Sequence, residues 1–258
     1  MRVKTTHQIQ PAYEPLLRTF GSGGDWVFSS DLVRVWRKLV DRENCTLDAN
    51  WPDGRKIRLH VKRYPPRWAV FAEREANAFL DLERSGIPCA SVAAWGCLAD
   101  GRAYLITEDL AGFEPADKYI SRGGKFETVL ASTAELAANL HNAGFHHRDL
   151  YLCHFMVRAV NELAQVKLID AARVGRLPGW PLRKRWIIKD LAQFWYSATQ
   201  LPIVAAQRAA WLEHYASKRG IADAAALRRS IESKSRRIAA HDVNLNRRQP
   251  TRHLSIPN

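Results

Sequence analysis

Apolar and polar positions alternate with a period of two in the first third of the chain. Residues 32–40 (LVRVWRKLV), 44–49 (NCTLDA) and 57–64 (IRLHVKRY) each read as strands, with Asp53-Gly54 as a hairpin turn between the second and third. In the third, Ile57, Leu59 and Val61 share one face and Lys56, Arg58, His60 and Lys62 the other. The period then changes. Residues 68–84 form an amphipathic helix carrying Ala72, Ala76, Phe79, Leu80 and Leu82, ended by Gly86 and barred from resuming by Pro88. Two further strands, 91–97 and 103–107, are joined near Asp100-Gly101. Beyond them the pattern is mainly helical. Leu130, Ala134, Ala137 and Leu140 place a helix over 126–143 that Gly144 stops. A strand over 165–169, a helix over 186–199 and helical stretches near 203–218 and 221–239 follow. Residues 1–30, with Pro11, Pro15 and glycines at 21, 23 and 24, read as a loop-rich arm, and 115–125 as a loop or short helix.

Composition bounds the class. The 258 residues, 47% apolar, suffice for one large domain or two lobes. The net charge of +13 attracts phosphates, whether of nucleotides, nucleic acid or lipid surfaces. The four cysteines, Cys45, Cys89, Cys97 and Cys153, form no CxxC pair, which argues against a disulfide framework or zinc site and for a reducing, cytoplasmic setting. Residues 1–7 lack the apolar core of a secretory signal, and no run approaches a membrane span.

The chemistry concentrates in HHRDLYLCHF (146–155) and VKLID (166–170). An aspartate after a His-Arg pair, then a strand ending in a second aspartate, is the layout of phosphoryl transfer by kinases. One acid takes the hydrogen bond, and eventually the proton, of the attacking hydroxyl; the other holds magnesium on the nucleotide phosphates. Asp149 is the candidate for the first role and Asp170 for the second. A lysine on the polar strand face, Lys62, can bridge ATP phosphates if a glutamate steadies it. Glu75 is the choice from the next helix and Glu73 the runner-up, since the two point about 200° apart. Asp190 lies inside an apolar helix, where a charge needs a partner. No glycine-rich phosphate loop occurs: the turn at 40–44 has none, leaving Arg42 as a speculative helper. Ala171-Ala172 follows the second acid where protein kinases have Phe-Gly.

HHRDLYLCHF, together with YLITEDL (104–110) and RWIIKDL (185–191), resembles the lipopolysaccharide kinases, the family of the lipopolysaccharide core heptose kinases, over roughly residues 30–200. The resemblance implies an α+β, two-lobed protein kinase-like fold. A small N-terminal antiparallel sheet plus a helix (about 26–108) would be joined through a hinge (about 108–112) to a mainly helical C-terminal lobe (about 113–248). It implies that the backbone of Glu108, Asp109 and Leu110 holds adenine and that Asp190 binds the Asp149 loop from below. His154 takes the place of a magnesium-binding asparagine, either as a metal ligand or as a hydrogen-bond partner of Asp149 or a phosphate. His147 and Arg148 are read as supports. The cofactors implied are ATP and Mg2+, and the acceptor a sugar hydroxyl of the lipopolysaccharide inner core.

Residues 175–185 (GRLPGWPLRKR) are basic and punctuated by proline and glycine. Arg173, Arg176, Arg183, Lys184 and Arg185 could hold an anionic acceptor, or form a solvated charge run. Between 228 and 252 eight Lys/Arg (228, 229, 234, 236, 237, 247, 248, 252) face two acids (232, 242), a composition suited to an anionic membrane face, with the last ten residues frayed. No aromatic-basic interleaving supports nucleic acid. Two readings compete with the first: a kinase of another small molecule or a protein, and a non-catalytic nucleotide-binding scaffold.

Overall fold

The computed structural model describes residues 5–160 and 163–248. The residues before Thr5, Arg252 of the basic tail and the last ten residues, expected to be frayed, lie outside the described residues. The chain divides into two compact units, Met1–Ala111 and Gly112–Asn258.

The first unit is a six-stranded sheet, built from β1 (Thr6–Ile9), β2 (Arg34–Lys38), β3 (Glu43–Asn50), β4 (Lys56–Tyr64), β5 (Val92–Cys97) and β6 (Ala103–Glu108) in the order β1-β5-β6-β4-β3-β2. Neighbouring strands are antiparallel throughout. The alternation in β4 sorts as its pattern requires. Leu59 and Val61 are buried, while Arg58 is exposed and Lys62 half-buried. The arm departs from the loop-rich expectation. It supplies β1 on one edge, a short helix α1 (Glu14–Leu17) and three 3-10 turns, and buries Leu16, Leu17 and Val27 with Leu47, Leu59 and Val61 in one core. Proline and glycine spacing masked this, because the arm folds as short turns with no long period.

Gly96 shows how tightly β1 docks: a Cβ there would lie 2.3 Å from the Thr6 carbonyl and 2.8 Å from the Tyr104 hydroxyl. Opposite the arm, α2 (Val70–Arg84) buries Ala72, Glu75, Ala76, Phe79 and Leu82. Its C-terminus closes at Gly86, whose φ of +71° only glycine adopts without strain.

The second unit is mainly helical. Short strand β7 (Glu114–Pro115) leads into α3 (Ala116–Ser121) and then α4 (Phe126–Asn142), which buries Val129, Ala134, Ala137, Leu140 and His141. Strand β8 (Phe145–His146) opens the loop that carries Asp149. The hairpin β9 (Phe155–Val160) and β10 (Leu163–Leu168) delivers Asp170, and β11 (Gly175–Arg176) pairs back on β8. Helices α5 (Leu182–Thr199), α6 (Ala205–Lys218) and α7 (Ala224–Arg248) complete it. Trp211 of α6 stacks on Phe194 of α5 at 3.8 Å between ring centroids and donates its indole N–H to Thr133 of α4 at 3.0 Å. These three helices therefore form one rigid base under the Asp149 loop. Helix α5 begins four residues earlier than its apolar pattern suggests, so Arg183, Lys184 and Arg185 occupy its first turn and not an extended loop.

Candidate active site

In the first unit the expected phosphate-holding residues stand on β4 and α2. Glu75 is fully buried; its Oε1 accepts a hydrogen bond from Lys62 Nζ at 2.6 Å and its Oε2 one from the Tyr64 hydroxyl at 2.8 Å. Glu73, two residues away, is exposed. A carboxylate buried without partners costs several kcal/mol, so this one is retained because two donors satisfy it. Lys62 keeps 22% of its side chain exposed, against none for Glu75. At the end of β6, Glu108 is a strand residue. Its amide donates to the Ser91 carbonyl at 2.9 Å and its carboxylate accepts from the Tyr13 hydroxyl. The Asp109 amide donates to the Arg58 carbonyl at 3.0 Å, and its side chain pairs with His60 at 2.7 Å. Arg42 pairs with its neighbour Asp41.

In the second unit the Asp149 loop is held from beneath by one face of α5. Asp190, fully buried, accepts the His147 amide at 2.6 Å and the Arg148 amide at 2.8 Å, and lies 3.3 Å from His141 Nε2. Burial alone would raise the pKa of Asp190; the His141 hydrogen bond and charge and the His147 amide outweigh it and hold the carboxyl below its ordinary value. Gln193 accepts the Leu150 amide at 3.2 Å and donates to the Arg148 carbonyl at 2.7 Å and to Asp149 Oδ1 at 3.4 Å. The Ser197 hydroxyl accepts the Leu152 amide at 3.0 Å. Positions 190, 193 and 197 share one helix face, so a single helix fixes the loop from 147 to 152. Sequence reasoning found Asp190 and missed Gln193 and Ser197. The available signal was a polar stripe at i, i+3 and i+7 in an otherwise apolar helix.

The loop carries strain where its chemistry would sit. Arg148 has φ +69° and Asp170 φ +59°, conformations that non-glycine residues seldom adopt. The Asp190 and Gln193 bonds on either side of Arg148 hold the first. The second leads from β10 into the 3-10 turn Ala171–Arg173 without the help of a following glycine. The Asp149 loop and Asp170 strand are also laced together. The His154 carbonyl accepts the Ile169 amide at 3.1 Å, and His147 Nε2 donates to the Ile169 carbonyl at 3.2 Å. His147 has no exposed surface; burial, then the neighbouring His154, lowers its pKa to about 4, so it is a neutral support. His154 donates from Nδ1 to the Asp149 carbonyl at 2.5 Å, which turns Nε2 toward Asp170 at 3.8 Å. Burial lowers the His154 pKa, but the Cys153 sulfur, the Asp170 carboxylate and the Asp149 carbonyl outweigh it and push it up to about 10.

Arg173 donates to both Asp149 oxygens, at 3.1 and 3.3 Å, with half of its own side chain exposed. Lys189 is half-buried near it. Burial, then Arg173, lowers its pKa, while Asp149 works the other way. Arg148 and Lys189 lie over the Trp186 ring at 4.7 and 5.3 Å. Among the described residues no three His, Cys, Asp or Glu side chains converge to hold a metal ion, and no helix is long and apolar enough to cross a membrane. A magnesium ion that keeps water and phosphate ligands needs only one or two protein carboxylates; Asp170 offers one, and His154 Nε2 faces it at 3.8 Å but carries a proton.

Comparison with known proteins fits this geometry. A family model described as the lipopolysaccharide kinase (Kdo/WaaP) family matches residues 24–215. The lipopolysaccharide core heptose(I) kinase WaaP of Pseudomonas aeruginosa is 24% identical over 159 residues, covering 56% of this chain and 59% of that protein. The Escherichia coli K12 protein of the same description is 26% identical over 209 residues, covering 69% of this chain and 74% of that one. The chain thus spans less than two thirds of the length of the Pseudomonas relative. Among solved structures, the aminoglycoside phosphotransferase APH(3'')-Id from Streptomyces rimosus superposes with a TM-score of 0.53 at 17% identity, covering 87% of this chain and 97% of that one. The antiparallel sheet, its helix and the mainly helical second unit form a two-lobed kinase-like fold.

Proposed function

The chain belongs to the lipopolysaccharide kinase (Kdo/WaaP) family, and from that premise we propose that it transfers the terminal phosphoryl group of ATP to a sugar hydroxyl, favouring the lipopolysaccharide inner core. The observation that carries this reading is the pair of acids in the second unit. Asp149 and Asp170 stand on two loops tied to one another and, through Asp190, to α5.

In this reading the acceptor O–H gives its proton to Asp149 as its oxygen bonds to phosphorus, and the bond to the leaving ADP oxygen breaks. Asp149 acts by placement, so its support matters: Gln193 fixes its backbone and Arg173 its carboxylate. Lys62, steadied by Glu75, holds ATP phosphates. The backbone of Glu108, Asp109 and Leu110 would meet the adenine edge, with the amides of the first two already donating to the Ser91 and Arg58 carbonyls. When bound, magnesium supplies charge neutralisation on the phosphates. Asp170 and His154 would hold it, and the His154 ring would give up its Nε2 proton to do so.

Arg173, Arg176, Arg183, Lys184 and Arg185 are the acceptor side. Three successive cations in the first turn of α5 oppose the positive end of its dipole, an arrangement that a bound anion relieves. The surplus of Lys/Arg along α7 adds contact with an anionic membrane, where a lipid-linked acceptor resides. The test is phosphate transfer from labelled ATP to purified lipopolysaccharide core by wild type and Asp149→Ala, with core mass spectra from cells with and without the gene. Label on a core sugar that is lost by 100-fold or more in Asp149→Ala supports the reading. Transfer that survives the substitution, or a core phosphate independent of the gene, overturns it.

A further inference from the structure

Trp180 is 86% exposed and Leu182 49%, two of the larger apolar side chains left in water on the second unit. Burial is what normally holds a tryptophan, and here none is provided. The bend that carries them is fixed at both ends. The Leu177 amide donates to the Gly144 carbonyl at 2.7 Å, and the Arg183 amide to the Gly179 carbonyl at 3.1 Å. The ladder of Gly175 with His146 joins its base to the strand that opens the Asp149 loop. The charge around it is one-sided. Between Asp170 and Asp190 the chain has six cations and no acid, and Arg183, Lys184 and Arg185 are exposed directly beside the apolar tip.

An amphipathic indole sits by preference at the boundary of headgroups and acyl chains, and lysine or arginine next to it binds anionic headgroups. A protein groove would offer acids to these cations and a pocket to the ring. A bilayer offers both over a flat, continuous surface, which suits a tip two residues wide flanked by three consecutive bases.

We propose that Trp180 and Leu182 insert into the interfacial layer of an anionic bilayer, with Arg183, Lys184 and Arg185 on its headgroups. Because the same segment is strapped to the Asp149 loop, this places the loop at the membrane surface, where an acceptor with a lipid anchor presents its sugar. That last consequence rests on the kinase reading; the insertion does not.

The test is co-sedimentation, without nucleotide, with large unilamellar vesicles of phosphatidylcholine alone or with 30% phosphatidylglycerol (a proportion of about one anionic lipid in three, enough to charge the surface). Wild type is expected on the anionic vesicles, with its tryptophan emission quenched when the lipids carry bromine on their acyl chains. Trp180→Ser with Leu182→Ser should lower partitioning by roughly tenfold or more and remove the quenched component, as loss of buried apolar area predicts. Both residues are exposed, so unchanged thermal unfolding and unchanged binding of a fluorescent ATP analogue check that the fold persists. Trp180→Glu should fall at least as far. Equal binding of wild type and double variant, equal binding to neutral and anionic vesicles, or a wild-type dimer in sedimentation velocity that the double variant abolishes would each overturn the proposal. Phosphate transfer to a soluble, lipid-free core fragment is scored separately. Its failure with vesicle binding intact tells against the kinase reading and leaves the insertion standing.

Discussion

Lys62 and Glu75 divide a single ion pair unequally, and the division sets what each substitution does. Glu75 is fully buried and satisfied by Lys62 and Tyr64, whereas Lys62 still reaches solvent. Lys62→Met should therefore cut ATP-dependent transfer by at least about 100-fold through lost phosphate contact, a loss on the scale of about 3 kcal/mol. Glu75→Ala should lose a similar factor in rate and also lower the thermal midpoint, because it leaves the Tyr64 hydroxyl buried without its acceptor. Steady-state kinetics beside thermal denaturation separate the two.

His147 supplies the pH signature. Its pKa is about 4 in the folded protein against 6.5 for the free side chain. Between those values the unfolded chain holds a proton that the folded one does not, so stability rises with pH across that window. Acidifying from pH 7 should thus cost stability progressively from about pH 6.5 down to about pH 4, by up to about 3 kcal/mol from this group. Asp190, held below its ordinary value, adds a further loss only at more acidic pH. His147→Gln should flatten the upper part of that slope in urea titrations run at several pH values.

At the scale of elements, α5 is the part whose meaning the sequence half disclosed. Asp190 announced itself as a charge in an apolar helix. Gln193 and Ser197 did not, because neutral polar residues in a helix are as common on solvated faces as on buried ones, and only the position of the loop above distinguishes the two. Gln193→Ala should lower the rate constant for transfer by about 10- to 100-fold with little change in acceptor KM. It removes the donor that holds the Arg148 carbonyl and touches Asp149, and displacements of about 1 Å at a reacting group cost on that order. Gln193→Glu keeps the acceptor for the Leu150 amide but loses the donor, so it should share the defect.

Strands β2 to β6 and β10, the hairpin turn at Asp53-Gly54, α2 and α4 were legible in the pattern of the chain, whereas β9 and the two-residue strands β7, β8 and β11 were not. The arm was not: β1 and α1 are four residues each, too short to show a period, and what fixes them is tertiary, with Gly96 and Tyr104 receiving β1. The start of α5 was hidden for a related reason. Its first turn is basic and exposed, so the apolar signal begins only at Trp186. Of the candidate site, strand and helix faces offered Lys62 and Glu75, and the apolar helix showed that Asp190 needs a partner; the family resemblance singled out Lys62 and named the Asp149 loop as that partner. The Arg173–Asp149 contact could not be anticipated, since 24 residues of chain separate them and it takes the β8–β11 ladder and the His147 and His154 bonds to Ile169 to bring them together.

At the scale of the whole molecule, the surplus of +13 is distributed unevenly, and that makes it testable. The stretch between Asp170 and Asp190 is wholly basic, and α7 is rich in Lys/Arg with few acids, whereas in the first unit many arginines are paired locally, as Arg55 is with Asp53, Arg58 with Asp48 and Arg102 with Asp100. Local pairs cancel at a distance; the unpaired excess sets the long-range field. If that excess draws an anionic acceptor, its effect depends on screening, which shortens from about 10 Å at 0.1 M salt to about 3 Å at 1 M. Acceptor KM should then climb at least severalfold over that range. The rate constant at saturating acceptor should change far less, since the groups that act on the bound substrate sit within contact distance and are poorly screened. Replacing Arg183, Lys184 and Arg185 by glutamine should raise acceptor KM at low salt and flatten its salt dependence, while thermal stability stays within about 0.5 kcal/mol, as expected for exposed charges. A salt dependence that survives the triple substitution unchanged would locate the attracting charge elsewhere, with α7 the next basic surface to neutralise.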